Sequence, residues 1–211
     1  MNTLILVGGA SASGKSTFVK ELNNSIENSL AYRRVQAFFD YAQYRGIPKE
    51  DTFKSISSTD ADNWFLKVCC NNEYIISDIH YALQMERNFK TDNRGTNIYQ
   101  EYVPTISKKL IDKLLEKNIR VIAVHITCSS AVIYERAINR NKKGERELRA
   151  ISLEDVELQA NAERKEWLNV SSISGTESIE LKSEIYSPTE LSEQVINYIK
   201  DKKVLSLKKL I

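Results

Sequence analysis

The chain has 211 residues, of which 42% are apolar and 27% charged, enough for one compact domain with a full hydrophobic core. Thirty basic against 28 acidic side chains leave a formal charge of +2. That balance excludes a global electrostatic case for nucleic acid and leaves room only for a local basic patch.

Short apolar strands alternate with helical patterns along the chain, the signature of a parallel sheet with crossover helices. Thr3–Val7 reads as strand one, Gly8–Gly14 as a loop, and Lys15 to Asn24 as a helix. The apolar run Leu4–Val7 is too short for a signal-peptide core and has no basic region before it. Strand two is expected over Arg34–Phe39, ending at Asp40, followed by an irregular stretch from Tyr41 to Ser58. A helix capped by Ser58 or Thr59 then runs to Cys70. Strand three is Tyr74–Ser77, ending at Asp78. His80 to Tyr102 gives no clear pattern beyond a loop tip at Thr91–Gly95. An amphipathic helix is expected from Val103 to Lys117, and an almost wholly apolar strand four over Arg120–Ile126. A helix from Ser130 to Asn141 leads into a charged stretch, Asn141–Arg149. The helix Leu153–Trp167, strand five over Ser178–Lys182, and a helix opened by Pro188 or Thr189 and running through Ile199 complete the order. The tail from Asp201 is compatible with an extension of that helix. Cys69, Cys70 and Cys128 form no Cys-x-x-Cys pair, so they read as reduced, mostly buried thiols, and neither a disulfide framework nor a zinc site is expected. No stretch approaches the roughly 18 apolar residues of a membrane span, so a soluble, cytoplasmic protein is expected, with no membrane partner.

Gly9-Ala10-Ser11-Ala12-Ser13-Gly14-Lys15-Ser16 fits G-x-x-x-x-G-K-[ST] at every fixed position, between an apolar strand and a helix. A loop of this kind wraps backbone N–H groups around a triphosphate, and the helix behind it aims its positive end at the anion. Lys15 then reaches the β- and γ-phosphates, while the Ser16 hydroxyl ligates magnesium. The expected cofactors are therefore ATP and Mg2+. The plain alternative, a chance glycine-rich turn, lacks the strand and helix that flank this one.

The run Gly8 to Ser16, with Thr17 after it, resembles the phosphate-binding loop of uridine kinases and related small P-loop kinases. Length, element order and the arginines after strand four are similar to nucleoside monophosphate kinases as well. The resemblance implies a three-layer α/β/α P-loop NTPase fold, with a five-stranded parallel sheet in the order 2-3-1-4-5. It implies that Gly9, Ala10, Ser11, Ala12, Ser13, Gly14, Lys15, Ser16 and Thr17 hold the nucleotide.

In doubly wound sheets ligands bind beyond the carboxyl ends of the strands, where Asp40 and Asp78 are expected to stand. By the same resemblance Asp40 would be the catalytic base or a magnesium-water ligand. The family's usual Asp followed by Phe-Tyr is here Asp40-Tyr41-Ala42-Gln43-Tyr44. Asp78 would hold magnesium through water. Either aspartate could instead be a solvated strand-end acid. His80 either faces the acceptor or is an ordinary surface or core residue, and His125 reads as a core residue. Arg136 and Arg140 lie one helical turn apart. The resemblance implies that Arg136 stacks on the base, that Arg140, Arg146 and Arg149 bind phosphate, and that 141–149 forms a lid. The alternative is a solvated helix in which Glu135, Glu145 and Glu147 pair with them.

Together these observations point to one kinase domain over 1–211. Its acceptor region is expected within 41–62 and 80–102, and its acceptor is a small hydroxyl- or phosphate-bearing molecule, a nucleoside or nucleotide by resemblance. A polynucleotide kinase or tRNA-related P-loop protein is disfavoured by the near-neutral charge, so nucleic acid is not an expected partner. A nucleotide-dependent switch or regulatory ATPase is the other reading. The chain has no Asn-Lys-x-Asp guanine-reading motif and no Leu-Ser-Gly-Gly-Gln signature. A monomer or a homodimer is expected.

Overall fold

The computed structural model describes residues 1–90, 96–142 and 152–208. Five parallel strands form the central sheet: β1 (Thr3–Gly8), β2 (Ser29–Ala31), β3 (Tyr74–Asp78), β6 (Arg120–Thr127) and β7 (Thr176–Lys182), in the order β2-β3-β1-β6-β7. Between β3 and β6 the chain makes a separate antiparallel hairpin, β4 (Ala82–Lys90) with β5 (Thr96–Pro104). Numbered among themselves, the strands of the central sheet follow the expected order, 2-3-1-4-5.

Alternate side chains of each central strand enter opposite layers. Leu4 and Leu6 of β1, with Ile75, Val121 and Ala123, pack under α2 (Gln36–Tyr44), α4 (Ser58–Asn71), α5 (Lys108–Glu116) and α7 (Leu153–Ser171). Ile5 and Val7, with Ile76, Ile122 and Val124, pack under α1 (Lys15–Ser25) and α8 (Pro188–Lys208). The short helix α3 (Thr52–Ser55) and the longer α6 (Ser130–Lys142) complete the set among the described residues, with a 3-10 turn at Lys49–Asp51 before α3. Among the described residues, no helix is long and apolar enough to cross a membrane.

Two elements differ from expectation, each for a local reason. Arg34–Phe39 is not strand two. Ala37, Phe38, Tyr41 and Ala42 form a helical stripe against α4, and this outweighs the apolar–polar alternation of the same residues. The actual second strand is a three-residue edge, Ser29–Ala31, mostly exposed and so without a hydrophobic signature. Consequently 41–58 is largely helical, and α4 is capped by Ser57, whose hydroxyl accepts the Asp60 N–H. The helix expected from Val103 begins only at Lys108. Pro104 holds Val103 in extended backbone, and Ser107 supplies the cap by accepting the Leu110 N–H. The final helix continues past Ile199 to Lys208, the extension that the tail from Asp201 allowed. The loop tip at 91–95 lies outside the described residues. All three cysteines are free; Cys69 is buried, Cys128 half-buried, and Cys70 exposed, contrary to the expectation of mostly buried thiols.

Candidate active site

β1 delivers Gly8 to the carboxyl end of the sheet, and the loop 9–14 turns back over it into α1. Gly9 has φ 144°, and a Cβ there would stand 2.4 Å from the Ile126 carbonyl oxygen, so no larger residue fits. Gly14 precedes the helix at φ 100° and Ala12 is left-handed at φ 64°. Such alternation turns successive N–H groups toward a common point, the geometry of an anion nest. Lys15 lies buried beneath the loop, its Nζ donating to the carbonyls of Gly9 (2.6 Å) and Ala10 (3.1 Å).

The loop is also held from outside. Ser183 Oγ donates to the Ser13 carbonyl at 2.6 Å. Gln159 of α7 accepts the Ser11 N–H at 3.2 Å and donates to Ser11 Oγ at 3.3 Å. Ala10 and Ala12 pack on Ile133 and Ala137 of α6 and on Val156 of α7.

Ser16 follows Lys15 in the first turn of α1, and its hydroxyl donates to Asp78 Oδ2 at 3.2 Å. Asp78 closes β3 directly beside Val7 of β1, as expected. The same oxygen receives the Arg33 guanidinium at 2.9 Å. A cavity of about 380 Å³ opens from here, with Ser11, Lys15, Ser16 and Arg140 on the loop side and Arg34, Val35, Phe38, Leu83, Thr105 and Ile106 beyond. Arg34 within that wall is paired to Asp62 of α4 at 2.6 Å.

His80 also lines this cavity. Its Nδ1 lies 2.5 Å from Oε1 of Glu163, which has no exposed surface and whose Oε2 accepts the Tyr81 N–H at 2.7 Å. The Tyr81 ring lies across Gly8, and its hydroxyl donates to the carbonyls of Leu6 (3.0 Å) and Val124 (3.2 Å), so the segment 78–81 is pinned to the sheet on both sides. Burial pushes the Tyr81 phenol well up, with the nearby Glu163 charge acting in the same direction.

The remaining expected residues divide. Arg140 faces the cavity, whereas Arg136, one turn earlier, donates to the Ser183 carbonyl at 3.2 Å and steadies the turn that holds Ser13. Thr17 is exposed on α1 and does not line the cavity. Asp40 does not stand at a strand end. It belongs to α2, where its carboxylate accepts the Tyr32 hydroxyl at 2.6 Å, and it does not line the cavity either. Burial, then Asp40, raises the Tyr32 phenol. Of the expected acceptor regions, His80 and Leu83 line the cavity, while 41–62 contributes none of its wall; Arg33 to Phe38 take that place. Arg146, Arg149 and residues 143–149 of the expected lid lie outside the described residues. His125 is a core residue at 3% exposure, stacked on Trp167, and its imidazole is pushed down to about 4 by burial, with Arg164 and Lys15 adding to the effect.

Glu163 and Gln159 were absent from the sequence expectations, yet they carry a signal. Val156, Ala160, Glu163, Trp167 and Val170 recur at helical spacing, and one carboxylate interrupts that apolar stripe. A charge on a buried face demands a partner nearby.

No family model matches the sequence, and no curated protein matches it either. Solved structures do match in shape over nearly the whole chain. The YorR protein of Bacillus subtilis, in complex with phosphorylated GDP, is 14% identical at a TM-score of 0.56, with 95% of this chain and 97% of that one covered. The tunicamycin resistance protein of Deinococcus radiodurans is 11% identical at 0.54, with 94% and 96% covered. Shikimate kinase from Acinetobacter baumannii, in complex with shikimate, is 11% identical at 0.50, with 96% and 95% covered. The fold is that of the P-loop kinases. At these identities the P-loop kinase likeness is one of fold, and the residues of the site argue the chemistry.

Proposed function

We propose that this P-loop protein is an ATP- and magnesium-dependent phosphotransferase acting on a small molecule, with a nucleoside, a nucleotide or a similarly small hydroxyl compound as acceptor. The observation that carries the proposal is the single cavity in which the phosphate-loop residues Lys15 and Ser16, the strand-end acid Asp78 and a separate wall for a second ligand meet. A switch needs the first half of that arrangement only. One similar solved structure holds phosphorylated GDP and another holds shikimate, which supports a small-molecule site on this fold.

The Ser16 hydroxyl and the Asp78 carboxylate, 3.2 Å apart at the mouth of the loop, suit magnesium, which is bound by one or two protein oxygens with phosphate and water. When bound, that ion neutralises charge on the β- and γ-phosphates. Lys15 exchanges the Gly9 and Ala10 carbonyls for phosphate oxygens, and Arg33 exchanges Asp78 for the triphosphate. Arg140 adds a planar cation from α6, and Arg146 and Arg149 are proposed to follow it as part of a lid over 141–149. Asp40 acts through Tyr32 to position α2, which supplies Phe38 to the acceptor wall.

The deciding experiment incubates the protein with γ-labelled ATP, magnesium and a panel of small acceptors. Label on a soluble product is expected. Label released only as inorganic phosphate would favour a regulatory ATPase instead.

A further inference from the structure

We infer that Gln159 is a positioning residue for phosphoryl transfer: from α7 it holds the phosphate loop at Ser11 by both ends of its carboxamide, and so sets the limb of the loop that lines the shared cavity. This deepens the phosphotransferase reading and rests on it. The contact has two points. A carboxamide carries an accepting oxygen and a donating nitrogen in one rigid plane. Oε1 takes the Ser11 N–H at 3.2 Å and Nε2 donates to Ser11 Oγ at 3.3 Å, so Ser11 is fixed in rotation as well as in place. The next residue needs that support. Ala12 is left-handed at φ 64°, a conformation that a side chain disfavours and that persists where the surroundings hold it. Ser183 holds Ser13 on the other side of Ala12. Among the described residues, the other side chain bonded to the loop's backbone is Lys15, which leaves the Gly9 and Ala10 carbonyls when phosphate arrives.

The helix that presents Gln159 is itself anchored. Val156 belongs with Ala10 and Ala12 to one apolar cluster. Glu163, one turn beyond Gln159, accepts the Tyr81 N–H at 2.7 Å, and Trp167 Nε1 donates to the Ala123 carbonyl at 3.0 Å. Val156, Glu163 and Trp167 form one buried stripe, so the carboxamide extends from a fixed frame.

Binding and alignment divide between the two limbs of the loop. The N–H groups at the start of α1, with Lys15 and the Ser16 hydroxyl, grip a nucleotide. Both bonds of Gln159 go instead to Ser11, four residues before Lys15, which lines the cavity together with the acceptor wall. Loosening Ser11 leaves the nucleotide held but lets the loop drift relative to the acceptor, and transfer is steeply sensitive to such drift. Gln159 itself takes no proton and forms no bond to the phosphoryl group.

The test compares the full chain with its Gln159→Met variant, which keeps the length of the side chain and removes both polar ends. Each is given γ-labelled ATP, magnesium chloride and a panel of nucleosides, nucleoside monophosphates, sugars and polyols. On any acceptor that the wild type labels, the variant's kcat should be lower by about 10- to 100-fold. The Kd of a fluorescent ATP analogue should stay within about threefold of wild type, since alignment and not binding is lost. Without nucleotide, hydrogen exchange at the Ser11 amide, followed by NMR, should quicken in the variant. Ser11→Ala should also lower kcat, and the double variant should lose less than the product of the two single losses, as groups joined by one contact do. A folded Gln159→Met protein with the wild-type kcat would overturn the inference and leave the phosphotransferase reading standing. So would a loss confined to nucleotide affinity, or unchanged exchange at Ser11. Label on no acceptor of the panel would overturn the phosphotransferase reading itself, and the inference with it.

Discussion

Lys15→Met separates the phosphate loop's chemistry from its folding. Methionine keeps the buried aliphatic stem and removes only the ammonium that donates to the Gly9 and Ala10 carbonyls. Each charge-assisted bond of that kind is worth about 1.5–3 kcal/mol, and together they oppose the several kcal/mol it takes to desolvate an ammonium. The two terms nearly cancel. The Ala10 carbonyl also keeps the Ser13 N–H at 3.2 Å, so the variant should fold with a stability change of no more than about 2 kcal/mol. Transition-state stabilisation has no such cancellation. A preorganised donor aimed at developing charge contributes about 3–4 kcal/mol, so kcat should fall by roughly 10²–10³-fold. Thermal melting gives the first quantity and single-turnover transfer of labelled phosphate gives the second. A folded Lys15→Met protein with near wild-type turnover would refute the assignment of the loop.

Three further outcomes follow from the same geometry. Asp78→Asn should raise the magnesium concentration needed for half-maximal turnover by about tenfold or more, since a carboxylate is the stronger ligand for a hard cation. Its stability should change little, because the Arg33 partner is 59% exposed; an unchanged magnesium titration would argue against Asp78 as a ligand. Gly9→Ala should abolish binding of an ATP analogue and destabilise by more than about 1 kcal/mol, since the new Cβ meets the Ile126 carbonyl at 2.4 Å; calorimetric binding at wild-type affinity would contradict it. His125, with its imidazole lowered to about 4 against an unfolded value near 6.5, favours folding in its neutral form. The unfolded chain binds the extra proton, so this contribution is complete above pH 6.5 and disappears as the pH falls toward 4. It amounts to on the order of 3 kcal/mol, and His125→Phe should flatten the pH dependence of melting across that window.

How much of this was legible in the sequence depended on whether a residue's role is local. The phosphate loop was readable because its chemistry is local. Glycines, lysine and serine at fixed spacing determine the turn, the anion nest and the start of α1 together. β1, β3 and β6 were readable because burial on both faces leaves continuous apolar runs, and Asp78 followed from the end of β3. β2 was not, since a three-residue edge strand buries too little to leave a pattern. That one omission moved the expected second strand into α2 and carried Asp40 to a strand end it does not occupy. The hairpin 82–104 failed for a related reason: its strands pair with each other, outside the central sheet. The His80–Glu163 contact spans 83 positions, and no spacing rule brings two such residues together. The sequence does hold a one-sided trace of it, the carboxylate on α7 among Val156, Trp167 and Val170. Burying that charge is unfavourable unless something across the layer interface receives it. Gln159 stands one turn before Glu163 on the same helix and reaches the phosphate loop, so α7 touches the loop and His80 from a single rigid face. Any displacement of α7 would therefore act on both ends of the cavity at once, coupling the placement of the phosphate loop to the orientation of the His80 ring.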